Sequence, residues 1–516
     1  MMASTANGLV LKHPSTDPPH YQSVEDTATG IRGLSNSLAF AGNSISRFFG
    51  VHGDKLVGWR RNGTLPPAQC PPYTPLETDP IVHVPNESDT AVKKNETKLW
   101  NMCKPLKDEI IESFPTYWPI FTIASALIEI ALVTMVMVTN SFAPVQFTTK
   151  IETSDIAGFG GVNLSVTKSV LPNPFAGPSK AAMIHAGAKY PVCMRNSPQL
   201  YWNTGEDDRD LICCQEQSTQ QCGMLPENVC LYLYHGDIIG GVSQCNAQEQ
   251  SGYCSGGVVL HPCCVGIEGQ CILTTEENCT FQEGYWHPEK LLCSELGSGC
   301  FRDICRLDWI NRTLGQVPDQ GIRFISAIFL YCGILEFVMV FFPKFYTNWK
   351  IERRIGWLRL SVIYLLSGVG GLLVSSIFDP EPAVGNSGAM YGLLGVMLVE
   401  LLQGWKWVRK PRIELLKLVG FLVLLFGAGT LPYVDNFCHI GGFVFGALAS
   451  FVFVPYISIG EWERLKKLCL ILALTPIMLS LLVLGFAAFY NFTDPDFCHW
   501  CTYLNCIPYT STLCDI

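Results

Sequence analysis

The amino-acid sequence predicts an all-α polytopic membrane protein with seven transmembrane helices and a disulfide-rich lumenal domain between the first and second spans. Of its 516 residues, 48% are hydrophobic and only 15% are charged, a charge content too low for a soluble protein of this length. Seven apolar stretches are long enough to cross a bilayer as helices. Most of the 23 cysteines lie between the first two stretches. The net charge of −9 argues against nucleic-acid binding.

Five of the seven predicted transmembrane helices are clear apolar stretches, and the fourth and fifth fit this pattern less well. Gly and polar residues interrupt the fourth, and the fifth is short. Residues 1–60 contain no apolar segment of the signal-peptide type, so we expect the first span to direct membrane insertion. The seven run over 117–139, 323–343, 358–378, 386–403, 414–431, 434–455 and 468–490.

Basic residues set the predicted orientation in the membrane. Lys and Arg are concentrated before the first span, after the second, after the fourth and before the seventh. With seven spans these segments all lie on one side, and basic loops stay cytoplasmic. We therefore expect a cytosolic N-terminus and a lumenal C-terminus in a multi-pass protein of the endoplasmic reticulum, with the Golgi and the plasma membrane as alternative compartments. The loop predicted after the second span contains Lys344, Lys350, Arg353 and Arg354.

The predicted spans divide the chain into six parts. The first part is polar and weakly periodic, which is typical of disordered segments. The parts are 1–116, a largely disordered cytosolic regulatory arm; 117–139, the first transmembrane helix; 140–322, the cysteine-rich lumenal domain; 323–455, helices two to six; 456–490, a cytosolic loop and the seventh helix; and 491–516, a lumenal cysteine-containing tail.

The cysteines support this orientation independently. Those between Cys193 and Cys305, and those of the tail, lie on the predicted lumenal side, where disulfides form. Zinc binding is the alternative, but doublets such as Cys213-Cys214 fit disulfides better, and we expect no metal and no cofactor. The Cys-His-Trp-Cys motif at 498–501 also permits a redox function, although structural bridges are favoured. Sequons on the lumenal side predict a glycoprotein: Asn163, Asn278, Asn311 and Asn491.

Two polar residues inside predicted spans point to chemistry. Ser387 lies in the fourth span and His439 in the sixth. Polar groups are costly to bury in a membrane, so their presence needs a reason. An imidazole that takes the proton of a nucleophilic hydroxyl is the chemistry that such a pair permits. The residues around the serine complete the candidate site: Gly385, Asn386, Gly388 and, one helical turn later, Tyr391.

The order of these elements resembles the rhomboid family of intramembrane serine proteases, whose motif is Gly-x-Ser-Gly with a distant His. Rhomboids also carry a Tyr that packs against this His, which is the position of Tyr391. The resemblance implies that the first six helices form a rhomboid-like core, with the cysteine-rich domain inserted after the first helix and the seventh helix added at the end. Gly442 and Gly446 form a small-xxx-small pair that favours close helix packing.

The chain is further similar to the inactive rhomboid (iRhom) family, the pseudoprotease branch of the rhomboids. The similarity covers residues from about 110 to 516, and the long cysteine-rich loop is specific to iRhoms among rhomboids. It rests on Phe-Pro-Thr-Tyr-Trp at 114–118, Ile-His-Ala-Gly-Ala at 184–188, Cys-Cys-Val-Gly at 263–266, Leu-Pro-Tyr-Val-Asp-Asn at 431–436 and Cys-Ile-Pro-Tyr-Thr at 506–510.

Two features depart from these families. Members of the iRhom family typically carry Pro before the serine position and lack the serine, whereas this chain has Asn386 and Ser387 there. Active rhomboids also carry a His and an Asn on the second helix that help to bind the oxyanion, and the matching positions here hold Glu336 and Val340. Val cannot donate a hydrogen bond and an ionised Glu repels an oxyanion, so these positions are degenerate.

Glu336 admits three interpretations on sequence alone. As an acid in a span, it is expected to face the bundle interior, protonated or solvated by water. The alternatives are a hydrogen bond to His439 and a contact to a client helix. Because both Ser387 and His439 are present, the sequence leaves open whether the chain is an enzyme.

The iRhom resemblance implies a protein of the secretory pathway that binds single-span membrane clients and controls their trafficking, maturation or degradation without proteolysis. Known clients of the family are ADAM-type metalloproteases and epidermal-growth-factor-like ligands. The alternative is an active intramembrane serine endopeptidase, in which His439 acts as general base for Ser387 and Tyr391 orients the imidazole.

Overall fold

The structure, a computed structural model, describes residues 117–146, 149–157, 163–195, 210–217, 221–232, 235–241, 245, 257–258, 260–296, 299–308, 319–405, 410–430, 434–455, 461–491, 501–505 and 507. The predicted cytosolic arm 1–116 lies outside these residues, as do Asn311 and most of the predicted tail.

Helices dominate the described residues, and short strands are confined to the cysteine-rich part. The first long helix, α1, spans Ile120–Thr139. The cysteine-rich part contains β1 (Lys150–Ala157), β2 (Asn163–Val170), α2 (Lys180–Ala186), α3 (Pro191–Met194), β3 (Leu211–Gln215), β4 (Cys222–Pro226), α4 (Glu227–Tyr232), β5 (Asp237–Gly241), β6 (Gly257–Val258), β7 (His261–Val265), β8 (Gln270–Thr274), α5 (Glu276–Phe281), β9 (Tyr285–Trp286), α6 (Cys293–Leu296) and α7 (Gly299–Ile304). The helices that follow are α8 (Arg323–Ser326) with a 3-10 turn (Ala327–Phe329), α9 (Ile334–Ile355), α10 (Trp357–Phe378), α11 (Asn386–Gln403), α12 (Pro411–Ala428), α13 (Asn436–Phe453), α14 (Glu461–Asn491) and α15 (Thr502–Asn505).

Four of the described helices are long and apolar enough to cross a membrane, namely α1, α10, α13 and the Leu465–Asn491 part of α14. The pair of α8 (with its 3-10 turn) and α9 makes a fifth if the 86° bend between them lies inside one span. Helices α11 and α12 lie where the fourth and fifth spans are predicted. However, α12 carries Arg412, Glu414 and Lys417, and polar residues interrupt α11. The count of seven transmembrane helices therefore stays a prediction.

The second predicted transmembrane helix, 323–343, differs from the observed one in shape and in length. The helix is interrupted after the 3-10 turn, an interruption that we call the break, and α9 then runs from Ile334 to Ile355. At the break the backbone of Gly333 lies close to that of Phe175. A Cβ atom on Gly333 would lie only 2.1 Å from the carbonyl oxygen of Phe175. Backbone groups at such a break lose their helical partners and need other ones.

Helix α10 forms the centre of the bundle and packs against both α11 and α13. Glycines allow α11 and α13 to meet closely. A Cβ atom on Gly442 would lie 2.1 Å from the carbonyl oxygen of Gly388, and one on Gly446 would lie 2.4 Å from the Cα of Gly392. The small-xxx-small pair of α13 thus lies in the contact with α11, as the sequence predicts.

The cysteine-rich part contains three small sheets, and disulfides join the two larger ones to the elements around them. The sheets are β1-β2, β5-β3-β4-β6 and β8-β7-β9. The two cysteines of each doublet bond to different partners, so the strand that carries the doublet is joined to two separate elements. Six disulfides join pairs of cysteines that the structure describes: Cys193–Cys305, Cys213–Cys245, Cys214–Cys230, Cys263–Cys279, Cys264–Cys300 and Cys271–Cys293.

One group of potential metal ligands comes together in the described part of this domain. It consists of Cys264, His287 and Asp303. The sulfur of Cys264 is bonded to Cys300, so it is not a thiolate ligand. The ring Nε2 of His287 instead lies 2.8 Å from a carboxylate oxygen of Asp303. The cluster is therefore explained by a disulfide and an adjacent His–Asp pair.

Arg323, at the start of α8, fixes the cysteine-rich domain to the bundle. Its side chain is fully buried, and it donates hydrogen bonds to the carbonyl oxygens of Ile184, Ala188 and Cys305 at 2.6, 2.9 and 3.0 Å. A buried cation is tolerated only when its donors are satisfied. The domain therefore packs against the start of α8 in a defined position.

Candidate functional site

Ser387 and His439 lie in the first turns of two neighbouring helices. Gly385 precedes α11 as its N-cap, so Ser387 is the second residue of that helix. Asp435 is the N-cap of α13, and its side chain accepts a hydrogen bond from the backbone N–H of Cys438 at 3.0 Å. His439 follows directly and is only 4% exposed, whereas Ser387 is partly exposed.

Tyr391 holds the imidazole of His439, as predicted from the sequence. The two rings are stacked, with centroids 4.0 Å apart and planes 9° apart. Among the described residues, the Nδ1 atom of His439 has no hydrogen-bond partner. No hydrogen bond between Ser387 and His439 is found there either. The dyad residues thus lie at the same end of the bundle, and stacking on Tyr391 holds the imidazole of His439.

The two glycines of the motif serve close packing. A Cβ atom on Gly388 would lie 2.5 Å from the Sγ of Cys438, and one on Gly385 would lie 2.8 Å from Leu372. The backbone N–H of Gly385 also donates to the carbonyl oxygen of Ala327 at 2.7 Å. These contacts fix the start of α11 against α13 and against the 3-10 turn of the second helix.

Asn386 is turned toward the broken second helix. It is fully buried, and its Nδ2 donates to the carbonyl oxygen of Leu330 at 2.5 Å and to Oε1 of Glu336 at 3.1 Å. Leu330 lies in the break between the 3-10 turn and α9. The side-chain amide that stands beside Ser387 is therefore engaged by the protein itself.

Glu336 also accepts hydrogen bonds from groups at the break. Its Oε2 accepts hydrogen bonds from the backbone N–H of Cys332 at 2.7 Å and from the Cys332 thiol at 2.9 Å. Together with Asn386 it supplies partners to backbone groups that the break deprives of helical ones. Of the three interpretations, the structure supports burial inside the bundle, with Cys332 and Asn386 as its partners. No hydrogen bond to His439 is found among the described residues.

Val340 lies one turn after Glu336 and provides no donor. Its side chain packs against the apolar cluster of Ala126, Tyr331 and Phe341. Neither degenerate oxyanion position thus offers a side-chain donor to an oxyanion. The donors that remain are the backbone N–H groups of the first turn of α11, which a helix leaves without intrahelical partners.

A buried ion pair next to this site was not predicted from the sequence. Lys344 is expected in a cytoplasmic loop, yet it lies inside α9, 2.9 Å from a carboxylate oxygen of Glu129 in α1. The hydroxyl of Tyr331 donates to the same carboxylate at 2.6 Å, and that of Tyr364 approaches it at 3.3 Å. An acid inside the first apolar stretch is the signal that could have predicted this network.

A second polar cluster joins the cysteine-rich domain to the C-terminal end of α10 and the N-terminal end of α13. Lys189 is fully buried and donates to Oγ of Ser375 at 2.8 Å and to the carbonyl oxygen of Asp379 at 3.0 Å. The hydroxyl of Ser375 in turn donates to Asp435. Burial raises the pKa of Asp379 to about 6, an effect that the nearby Lys189 ammonium opposes. The sequence contains no local signal for these contacts.

These positions define a class of protein. A serine and a histidine at the ends of two closely packed helices, with a tyrosine stacked on the histidine, form the framework of a rhomboid-type site. In agreement, residues 318–456 match the family model of the Rhomboid domain. The chain therefore carries a rhomboid domain and belongs to the rhomboid superfamily.

Within this superfamily the chain is similar to inactive rhomboid proteins. It is 31% identical over 458 residues to Inactive rhomboid protein 1 of Homo sapiens and of Rattus norvegicus, an alignment that covers 78% of this chain and 53% of each relative. It is 30% identical over 469 residues, with the same shares, to Inactive rhomboid protein 2 of Homo sapiens. The resemblance to the iRhom family is thus confirmed. The chain spans about half the length of the curated relatives it matches.

Proposed function

We propose that this chain is a rhomboid pseudoprotease of the secretory pathway that binds single-span membrane clients and controls their trafficking, maturation or degradation without cutting them. The observation that carries the proposal is the use of Glu336 and Asn386 as partners for the broken second helix. A carboxyl group occupies one degenerate oxyanion position, and the amide beside Ser387 is engaged elsewhere.

The chemistry of the site argues against efficient proteolysis. Loss of one oxyanion donor costs a serine protease about 10²–10³ in rate. In this chain neither Glu336 nor Val340 supplies a donor, and an ionised Glu336 would repel the developing negative charge. The backbone N–H groups of α11 remain, so residual turnover is expected to be slow rather than chemically impossible.

The surface of the bundle supports a role in holding other membrane proteins. Helices α1 and α14 expose large apolar side chains along their lengths, such as Leu127, Val138 and Val483. Such surfaces contact lipid or another transmembrane helix. Single-span clients of the ADAM-type metalloprotease and epidermal-growth-factor-like classes follow from the family resemblance. In this proposal seven helices cross the membrane of the endoplasmic reticulum, with the N-terminus cytosolic and the C-terminus lumenal.

The decisive experiment co-expresses the chain with a single-span growth-factor-like client in cells treated with a metalloprotease inhibitor. Cleavage product and client surface level are both measured for the wild type, for Ser387→Ala and for the control Ser361→Ala, which changes a serine far from the site on α10. We expect no product that depends on Ser387, and the same change in client level for all three chains. A product that Ser387→Ala alone removes would overturn the proposal.

The alternative is an active intramembrane serine endopeptidase. It is favoured by the partial exposure of Ser387 and by the stacking of Tyr391 on His439, which hold a nucleophile and a base at the same end of the bundle. In that case His439→Ala should remove the product as completely as Ser387→Ala, because the two residues act as one unit. Loss of product in both variants would establish the enzyme.

A further inference from the structure

One disulfide of the cysteine-rich domain encloses the others that join described cysteines. Cys193 and Cys305, which we call the neck, are bonded to each other across 112 residues of sequence. The other five disulfides lie inside this interval and join cysteines 16 to 36 residues apart. The neck therefore brings together the two ends of a long segment, whereas the other bonds join elements within that segment.

The backbone of the neck contacts the segment that leads into α8. The carbonyl oxygen of Cys305 accepts from Nη2 of Arg323 at 3.0 Å and from Nε2 of Gln320 at 2.9 Å. The carbonyl oxygen of Cys193 accepts from the backbone N–H of Gln320 at 3.1 Å. Both cysteines of the neck thus supply acceptors to residues 320–323.

Arg323 takes its acceptors from both sides of the neck. Its side chain is fully buried, and besides Cys305 it donates to the carbonyl oxygens of Ile184 and Ala188. Ile184 and Ala188 lie shortly before Cys193 in the sequence, on the other side of the bond from Cys305. A buried cation without acceptors is costly. Burial of Arg323 therefore requires the two segments that the neck joins to lie side by side.

Two more buried cations lie close to Cys193 in the sequence. Lys189 donates to the carbonyl oxygen of Asp379, the C-cap residue of α10, at 3.0 Å. Arg195 donates to the carbonyl oxygen of Phe489 in the last turn of α14, and its guanidinium lies 4.9 Å from the centre of the Phe489 ring. The last carbonyl groups of a helix have no intrahelical partner and attract cations. Residues 184–195, which we call the docking segment, therefore contact α8, α10 and α14.

The folded domain covers the neck completely. Both cysteines are fully buried, and Ile184, Tyr190 and Ile304 form one apolar cluster with them. Ile184 is also one of the residues whose carbonyl oxygen binds Arg323. Thiol–disulfide exchange requires that a thiolate reach the sulfur it attacks. An enzyme therefore has no access to the neck once the docking segment is in its final position.

We propose that oxidation of the neck controls the assembly of the cysteine-rich domain with the helices. Cys193 and Cys305 are oxidised first, and the bond then allows the docking segment to close on α8, α10 and α14. This order requires the domain to fold in an oxidising compartment, as the cysteine pattern predicts. It concerns the chain alone and holds whether or not the chain binds clients.

The oxidant is the disulfide of a thiol–disulfide oxidoreductase. The thiolate of one neck cysteine attacks this disulfide and forms a mixed disulfide, and one sulfur of the oxidoreductase leaves as a thiolate. The thiolate of the second neck cysteine then attacks the neck sulfur of the mixed disulfide. The neck bond forms, and the oxidoreductase leaves as a dithiol that has gained the two electrons and two protons of the neck thiols.

The test measures hydrogen exchange by mass spectrometry on the full chain in lipid nanodiscs. Closing of the docking segment has its own pair of reporters, because the backbone N–H groups of Lys189 and Ala383 each donate to the carbonyl oxygen of the other residue at 2.9 Å. These two amides are protected only while the docking segment lies against the end of α10. The ladder between β7 and β8, which lies inside the interval closed by the neck, reports whether the domain itself is folded.

Two double variants separate the neck from an ordinary disulfide. The open-neck variant is Cys193→Ser with Cys305→Ser. The inner-disulfide control is Cys271→Ser with Cys293→Ser, which removes a bond between β8 and α6. We expect exchange at Lys189 and Ala383 to be faster by about tenfold or more in the open-neck variant, because the neck closes a long loop. The control should keep the wild-type exchange at these two amides.

A third variant tests the order of the two events. Arg323→Met weakens docking and leaves both neck cysteines in place, and its control Arg302→Met changes an exposed arginine of α7. Cells that produce each chain are treated with N-ethylmaleimide before lysis, and the Cys193–Cys305 peptide is measured without reduction. We expect Arg323→Met to speed exchange at Lys189 and Ala383 with the neck bond fully formed. Arg302→Met should change neither quantity.

Three results would overturn the inference. Wild-type exchange at Lys189 and Ala383 in the open-neck variant would mean that docking does not need the bond. Equal acceleration in the inner-disulfide control would mean that the neck has no special role. Alkylated neck thiols in Arg323→Met, with the β7–β8 ladder still protected, would mean that docking comes before oxidation. The co-expression assay decides client binding separately.

Discussion

Removing the positive charge of Lys344 should strongly destabilise the bundle. Glu129 and Lys344 are 1% and 2% exposed, and their charged atoms lie 2.9 Å apart. The hydroxyl of Tyr331 also donates to Glu129, at 2.6 Å. In Lys344→Met the carboxylate keeps its tyrosine partner but loses its counter-charge in a medium of low dielectric constant. Breaking a buried pair in this way costs about 3–5 kcal/mol.

The measurement is thermal unfolding of the full chain in detergent, followed with a thiol-reactive dye. Cys438 is fully buried and becomes reactive on unfolding, whereas exposed Cys469 gives a constant background. At about 2–4 °C for each kcal/mol, the expected decrease in Tm is about 6–20 °C. Lys350→Met is the matched control. Lys350 lies on the exposed side of the same helix, 4.2 Å from the ring of Tyr346, and should cost about 1 kcal/mol or less.

The double variant tests the cause of this decrease. Glu129→Gln combined with Lys344→Met removes both charges and keeps an acceptor for Tyr331. Replacing a whole buried pair is often close to neutral, so the double variant should be more stable than Lys344→Met alone. A Tm for Lys344→Met within about 2 °C of the wild type would refute the reasoning, since the pair would then contribute no more than a surface charge.

Three further predictions concern other parts of the chain. Asn278 is buried and its amide is hydrogen-bonded, so the folded domain excludes a glycan there. Asn278→Gln should leave unchanged the shift in electrophoretic mobility that deglycosylation causes, and a smaller mobility shift would contradict this. Burial lowers the pKa of His185. The neutral ring therefore contributes to stability above pH 6.5, and this contribution is lost as the pH falls below that ordinary pKa. His185→Gln should flatten the dependence of Tm on pH in this range, and an unchanged slope would contradict the prediction. Gly446→Val should separate α13 from Gly392 and abolish cooperative unfolding. Its control Gly420→Val, where a Cβ atom would have no neighbour within 4 Å, should fold like the wild type. Equal Tm values for the two variants would contradict the close packing.

Local patterns predicted the serine, the histidine and the tyrosine of the site. Ser387, His439 and Tyr391 stand out because polar groups in apolar stretches are rare and because one helical turn separates Ser387 from Tyr391. Their convergence on one end of the bundle follows from the resemblance to rhomboids. The stacking of Tyr391 on His439 confirms the most specific of these expectations.

The partners of Glu336 could not be predicted in the same way. They depend on the break before α9, which is accompanied by the approach of Phe175 to Gly333 across more than 150 residues of sequence. The sequence places Lys344 in the basic loop after the second predicted span, yet α9 continues through Pro343 to Ile355. Long-range contacts of this kind leave no periodic pattern, and the pairing of the cysteines is equally hidden from sequence.

The break in the second helix also limits which side chains position 336 can hold. Glu336 offers two carboxyl oxygens, which accept from the backbone and thiol of Cys332 and from the amide of Asn386. A histidine at this position, as in active rhomboids, has one acceptor nitrogen at most, so Glu336→His alone would leave buried donors of the break unsatisfied. Each unsatisfied group costs on the order of 1–3 kcal/mol. A change of Glu336 to His without a folding defect would therefore require a second change among its partners, Cys332 and Asn386.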